Sequence, residues 1–161
     1  MGALSVSWQD PKALAESGRA TSGIEFLRAM IEGKLPPPPI AQLMGFRLVE
    51  VDNGLAIFEC TPGEQHYNPI GVVHGGLAMT LLDSCMGCSV HTVMPAGSGY
   101  TTLEAKVNLV RAITSTTGTL RAIGKLIHSG KSIATAEGRI VDGAGKLYAH
   151  GMTTCLIMNG K

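Results

Sequence analysis

From Tyr100 to Ile113 the chain alternates between apolar and polar residues. Leu103, Ala105, Val107 and Leu109 fall on one face, and Thr102, Glu104, Lys106 and Asn108 on the other. A period of two is the mark of a strand with one face on a core. Three more strands are expected over 119–127, 132–141 and 147–158, separated by Ser129-Gly130 and by Asp142-Gly143-Ala144-Gly145. The short connections predict an antiparallel meander of these four strands. Upstream, 46–51 and 55–61 read as two strands joined at Asp52-Asn53-Gly54, a hairpin signal.

Between the two strand groups the pattern changes. From His74 to about Met94 the only residue that is acidic or basic, histidines aside, is Asp83. Leu77, Leu81, Leu82, Cys85, Cys88 and Val90 spread apolar groups around the whole cylinder, which predicts a helix buried on all sides. Gly75, Gly76, Ala78 and Gly87 allow other backbones to approach it. Pro95 and Gly97 stop it. A span of this length could suggest a membrane helix, but a carboxylate at mid-membrane costs about 2.5–3.5 kcal/mol, and that reading is rejected.

Residues 1–20 are weakly patterned and predict no fixed element. Ile24, Leu27 and Ile31 predict a short helix over 23–32, capped by Ser22 with Glu25 three residues on and ended by Gly33. Pro36 to Pro39 form a stiff spacer, read as a linker rather than a docking motif. A helical turn is expected over 40–43. The chain thus divides into an N-terminal extension, 1–39, and a main domain, 40–161. The fold class is α+β: an antiparallel sheet wrapped around one long central helix. Sheet covers one side of that helix, and a second subunit is expected to cover the other.

The chain has 161 residues, 45% hydrophobic and 16% charged. The charged share lies below the roughly 25% of an average soluble protein, as expected where surface is buried between subunits. A net charge of +1 gives no electrostatic reason to expect nucleic acid or anionic membrane as a partner. Cys85 and Cys88 have C-x-x-C spacing, but no second pair accompanies them, so all four cysteines are read as small hydrophobes. No metal site is expected. The N-terminal residues lack the basic and apolar runs of a signal peptide, and a cytoplasmic protein is expected.

A solitary carboxylate on an apolar helix is either a functional group or one turned toward a cation on a neighbouring strand. His74, Gly75 and Gly76 begin the same helix, where unpaired N–H groups and the positive end of the dipole can receive an oxyanion. Asp83 lies about 13 Å further along the axis at 1.5 Å per residue. One helix cannot easily bring both ends to one carbonyl, whereas an antiparallel helix of a second subunit can.

The run Asn68-Pro69-Ile70-Gly71-Val72-Val73-His74-Gly75-Gly76, followed by Leu81-Leu82-Asp83 and Thr102-Leu103-Glu104, resembles hot-dog-fold thioesterases of the PaaI-like, phenylacetate-pathway type. The resemblance covers roughly residues 40–158. It implies hydrolysis of acyl-CoA with no cofactor, CoA being part of the substrate. It implies Asp83 as nucleophile or general base, the Gly75 N–H on the thioester carbonyl, Asn68 on the carbonyl or water, His74 supporting the thioester end and Thr102 orienting water. It implies a homodimer, and a homotetramer as the common form, with the site shared between chains. Gly76, Met79, Leu82 and Met86 are expected to line the acyl site, for aromatic or medium-chain groups. Gly130 and Lys131 are expected to meet the CoA phosphates. The rival readings are a non-catalytic acyl-CoA-binding module and a hydratase-type enzyme of the same fold.

Overall fold

The computed structural model describes residues 1–158. Its elements are α1 (Pro11–Ala20), α2 (Gly23–Ile31), α3 (Pro39–Met44), β1 (Phe46–Asp52), β2 (Leu55–Cys60), α4 (Gly75–His91), β3 (Gly99–Leu109), β4 (Leu120–Ser129), β5 (Ile133–Val141) and β6 (Leu147–Met158). The six strands form one antiparallel sheet wrapped on α4, in the order β1-β2-β4-β5-β6-β3.

The inner face of the sheet explains how a helix can sit so close. Ala122, Ala134, Ala136 and Ala149 are fully buried, and Gly124, Gly138 and Gly151 fill the positions between them. A Cβ on Gly124 would lie 2.1 Å from the Cys85 carbonyl oxygen, so the α4 backbone rests on the strand itself. Leu77, Leu81, Leu82, Cys85, Met86 and Val90 are then sealed against the sheet, each at most 2% exposed. Burying such side chains contributes about 1.5–3 kcal/mol for each large one.

Three expectations change. First, β3 does not lie beside β4: it leaves the sheet at Leu109, crosses over 110–119 and pairs instead with β6 as an edge strand. Here the backbones of Val110 and Arg111 donate to the Tyr148 carbonyl, and Ile113 accepts from Val73 N, so the chain is led away from β4. Second, the register of β3 slips between Thr102 and Glu104, leaving Leu103 as the extra residue of a bulge. Thr102 therefore shares the helix-facing side with Ala105 and Val107, not with Glu104. Third, residues 11–20 are helical. Asp10 accepts from Lys12 N and Pro11 opens the first turn, a start signal that outweighs the weak apolar pattern.

Within the single chain, α4 has sheet on one side and an open strip on the other. Met79 and Asp83 are exposed, and Thr80, Ser84 and Cys88 are partly so. These positions form a strip along one side of the helix. The apolar residues drawn around the cylinder include small ones, and the uncovered strip carries its polar members. No helix among the described residues is long and apolar enough to cross a membrane.

The extension packs on the main sheet and helix. Leu27 is 1% exposed, the Gly23 N–H donates to the Met94 carbonyl at 2.9 Å, and Phe26 meets the His91 ring edge-on.

Candidate active site

Asp83 sits in the third turn of α4 on the uncovered strip. The bulge at Leu103 turns Thr102 toward it, and the Thr102 hydroxyl donates to Asp83 Oδ1 at 2.9 Å. Oδ2 is the oxygen left to approach a water or a carbonyl. The ion pairs of the described residues lie elsewhere, at Lys34–Glu32, Arg47–Glu59, Arg121–Glu50 and Arg121–Glu59. Within one chain Asp83 is exposed.

Asp83 opens into a cavity of about 400 Å³ whose wall also includes Ser84, Cys88 and Tyr100. Burial foremost, then the neighbouring Cys88 and Asp83, holds the Tyr100 phenol well above its ordinary range, so it is a neutral donor. Burial pushes the Cys88 thiol up to about 12, and burial raises Cys85 likewise, so neither is a ready thiolate. Tyr100 was legible only as the first residue of a strand. Nothing in its local sequence marks it as a wall of the Asp83 cavity, because the contact with Gly87 is made across the fold.

The other half of the expected constellation lies at the start of α4. Gly71, at φ +83°, takes a conformation open to glycine and lets Asn68 close its loop. Asn68 Oδ1 accepts from Ile70 N and Val72 N at 3.1 and 3.3 Å. His74 is the N-cap: its Nδ1 accepts the Gly76 N–H at 2.9 Å, and the Leu77 N–H donates to its carbonyl. The His74 ring is thus engaged in holding the helix start, and the Gly76 N–H is taken. The N–H of Gly75 lies between them. Asn68 and Gly75 line a separate cavity of about 300 Å³, with the Leu109 side chain over Gly75.

The structure therefore brings Thr102 to Asp83, and Asn68 to Gly75, but keeps the two pairs apart along α4. Of the expected acyl-site residues, Met79 is 49% exposed on the uncovered strip, and Gly76 is partly exposed beside it. Leu82 and Met86 need correction: both are 0% exposed and pack under Gly138 of β5, so they belong to the core. The helical period places them on the sheet side of α4, opposite the open strip. Gly130 and Lys131 lie in the exposed β4–β5 turn, with the Gly130 N–H donating to the Ile133 carbonyl. The row Ile133–Leu156–Thr101 puts that turn at the same end of the sheet as Thr102.

Comparison with known proteins agrees with this architecture. A family profile described as the thioesterase superfamily matches residues 70–149. A crystal structure from Ralstonia eutropha, titled as a thioesterase-type protein related to phenylacetic acid degradation, is 26% identical, with a TM-score of 0.73 over 81% of this chain and 98% of that one. The PaaI protein of the phenylacetic acid degradation operon of E. coli, at 20% identity, shares the fold with a TM-score of 0.73 over 88% of this chain and 99% of its own. A 1,4-dihydroxy-2-naphthoyl-CoA hydrolase of Listeria monocytogenes is 24% identical over 108 residues, 67% of this chain and 86% of the relative. The matched segment holds the helix start, Asp83 and Thr102 on an antiparallel sheet wrapped around one helix, and the chain belongs to the thioesterase superfamily of hot-dog proteins, on its PaaI-like side.

Proposed function

We propose that this protein hydrolyses acyl-CoA thioesters, with Asp83 as the catalytic carboxylate and the Gly75 N–H as oxyanion donor. The observation that carries this reading is Asp83 itself: an exposed carboxylate outside the ion pairs, held by the Thr102 hydroxyl at 2.9 Å and opening into a cavity.

The chemistry needs two sites that one helix holds about 12 Å apart, eight residues at 1.5 Å each. Two features favour a second copy as the remedy. β3 is a long edge strand with Leu103 and Leu109 exposed, a template for pairing with another strand. The uncovered strip of α4 lies next to it. Two chains joined edge to edge at β3 would run their α4 helices antiparallel, setting the Gly75 end of one beside Asp83 of the other. The Leu109 side chain over Gly75 would have to move aside for the carbonyl.

In that site Asp83 takes a proton from water while the water oxygen bonds to the thioester carbon. The carbonyl electrons move to oxygen, where the Gly75 N–H receives them. The intermediate collapses with cleavage of the C–S bond, and the CoA thiolate leaves and takes up the proton. Direct attack by Asp83, giving a mixed anhydride that water then opens, uses the same groups. Thr102 fixes Oδ1 and leaves Oδ2 as the reacting oxygen.

Asp83→Asn should lower turnover of every accepted acyl-CoA at least about a hundredfold, as loss of a positioned acid–base group does. Free-thiol release measures it, and an enoyl-CoA absorbance assay run beside it detects hydration instead. A variant that stays folded and keeps near wild-type thiol release would remove Asp83 from the mechanism.

A further inference from the structure

The cavity beside Asp83 is not made by the hot-dog sheet and helix alone. Its outer wall is Met30 and Ile31 at the end of α2, Pro37 and Pro38 of the spacer, and Ile40 of α3. All lie outside the segment matched by the family profile, which begins at residue 70. Its inner wall is carried by Leu48 and Phe58 of the first two strands.

The wall is fixed at both ends. At one end Gly23 is bound to the Met94 carbonyl, and a Cβ there would lie 1.8 Å from the His91 carbonyl oxygen, so α2 abuts the C-terminal end of α4. Leu27 of α2 is buried, and the bonds from Lys34 N and Leu35 N to the Ala29 carbonyl close the end of the helix. At the other end the prolines run into α3, whose Ala41 is 3% exposed. Stiff proline backbone between two seated helices makes a wall whose shape is set before a ligand arrives.

The side chains turned to the opening are apolar and unusually exposed for their size: Ile31 is 39% and Ile40 46% exposed. The cavity volume of about 400 Å³ falls within the roughly 300–1,000 Å³ of small-molecule sites. Besides Asp83, the charged group on the wall is Arg47, which is committed to Glu59 at 2.8 Å. The cavity therefore suits an uncharged apolar group reaching away from the carboxylate.

We propose that residues 30–40, from the end of α2 through the prolines into α3, form the far wall of the acyl site and set the size of the acyl group accepted, an uncharged aliphatic chain of medium length. This rests on the thioesterase reading above. The cavity belongs to one chain and needs no residue of a second copy for its apolar wall.

The test is a series of saturated acyl-CoAs from acetyl to palmitoyl, with thiol release by wild type, Ile31→Trp, Ile31→Ala and Ile40→Trp. Ile31 and Ile40 are surface-exposed, and the melting temperature of each variant verifies folding. Either tryptophan variant should lower kcat/KM for the best wild-type substrate at least about tenfold relative to acetyl-CoA, the scale on which apolar pockets discriminate. Ile31→Ala should move the preferred chain to greater length. Met152→Ala, on the outer face of the sheet, should keep the wild-type profile. Turnover with the same chain-length profile in all three wall variants overturns this proposal and leaves the thioesterase reading standing. A wild type that releases thiol from none of this series but does so from benzoyl-CoA overturns the proposal alone, and release from neither overturns both.

Discussion

Replacing Thr102 with valine tests whether one hydroxyl holds the reacting carboxylate. Valine keeps the branched shape that β3 and its bulge accommodate, and removes only the donor. The bond is 2.9 Å from Oγ1 to Oδ1, longer than the 2.5–2.7 Å of the strongest O–H···O⁻ bonds. Hydrogen bonds to charged groups are worth about 1.5–3 kcal/mol, and the length together with the exposure of Asp83 points to the lower end. About 1.4 kcal/mol corresponds to a tenfold change in rate, so Thr102→Val should lower kcat about tenfold. A change in stability within about 1 kcal/mol is expected, because Thr102 is only half-buried at the sheet edge. The informative measurement is the double-mutant cycle with Asp83→Asn, read by thiol release and by denaturant melts. If the hydroxyl works through Asp83, its removal in the Asp83→Asn background should cost less than about threefold. Equal losses in both backgrounds, or wild-type turnover in Thr102→Val, would refute the idea that Thr102 acts by holding Asp83.

Two further predictions concern the frame of the site. Gly124→Ala places a Cβ against the Cys85 carbonyl, a backbone atom that no rotamer change relieves. Overpacking of this kind costs about 1–3 kcal/mol or more, and with the upper value the melting temperature should fall by roughly 6–12 °C. His91 is held below its ordinary pKa of 6.5 by burial, between Phe26 and the neutral Tyr100, with no partner on Nδ1 among the described residues. The unfolded chain binds that proton more readily than the folded one. Stability should therefore be full above about pH 6.5 and decline as pH falls below it, and His91→Phe should flatten this decline in urea melts taken across that range.

Much of the fold was legible in local order. The Ile24-Leu27-Ile31 spacing with Ser22 and Glu25 marked α2, and Asn53-Gly54 marked the first hairpin, because caps and turns act over a few residues. The Asp83 and Gly75 positions were legible for a similar reason: a lone carboxylate on an apolar helix and glycines at a helix start are visible in composition. Strand order was not, because pairing partners are chosen by the whole sheet, and the path through 110–119 that carries β3 to the far edge is fixed by bonds to Tyr148 and Val73.

The sequence by itself determined which residues could carry chemistry and that one helix would lie against an antiparallel sheet, since both follow from side-chain type and periodicity. Only the tertiary structure decided which of them meet. A single bulged residue, Leu103, reverses the alternation and aims Thr102 at Asp83. The seating of α4 on Gly124 and Gly138 sends Leu82 and Met86 into the core and leaves Asp83 on the open strip. The extension, silent in its own pattern about any site, becomes a wall of the Asp83 cavity because packing brings residues far apart in the chain into one surface. Register and packing are properties of the assembled chain, and no local window of sequence contains them.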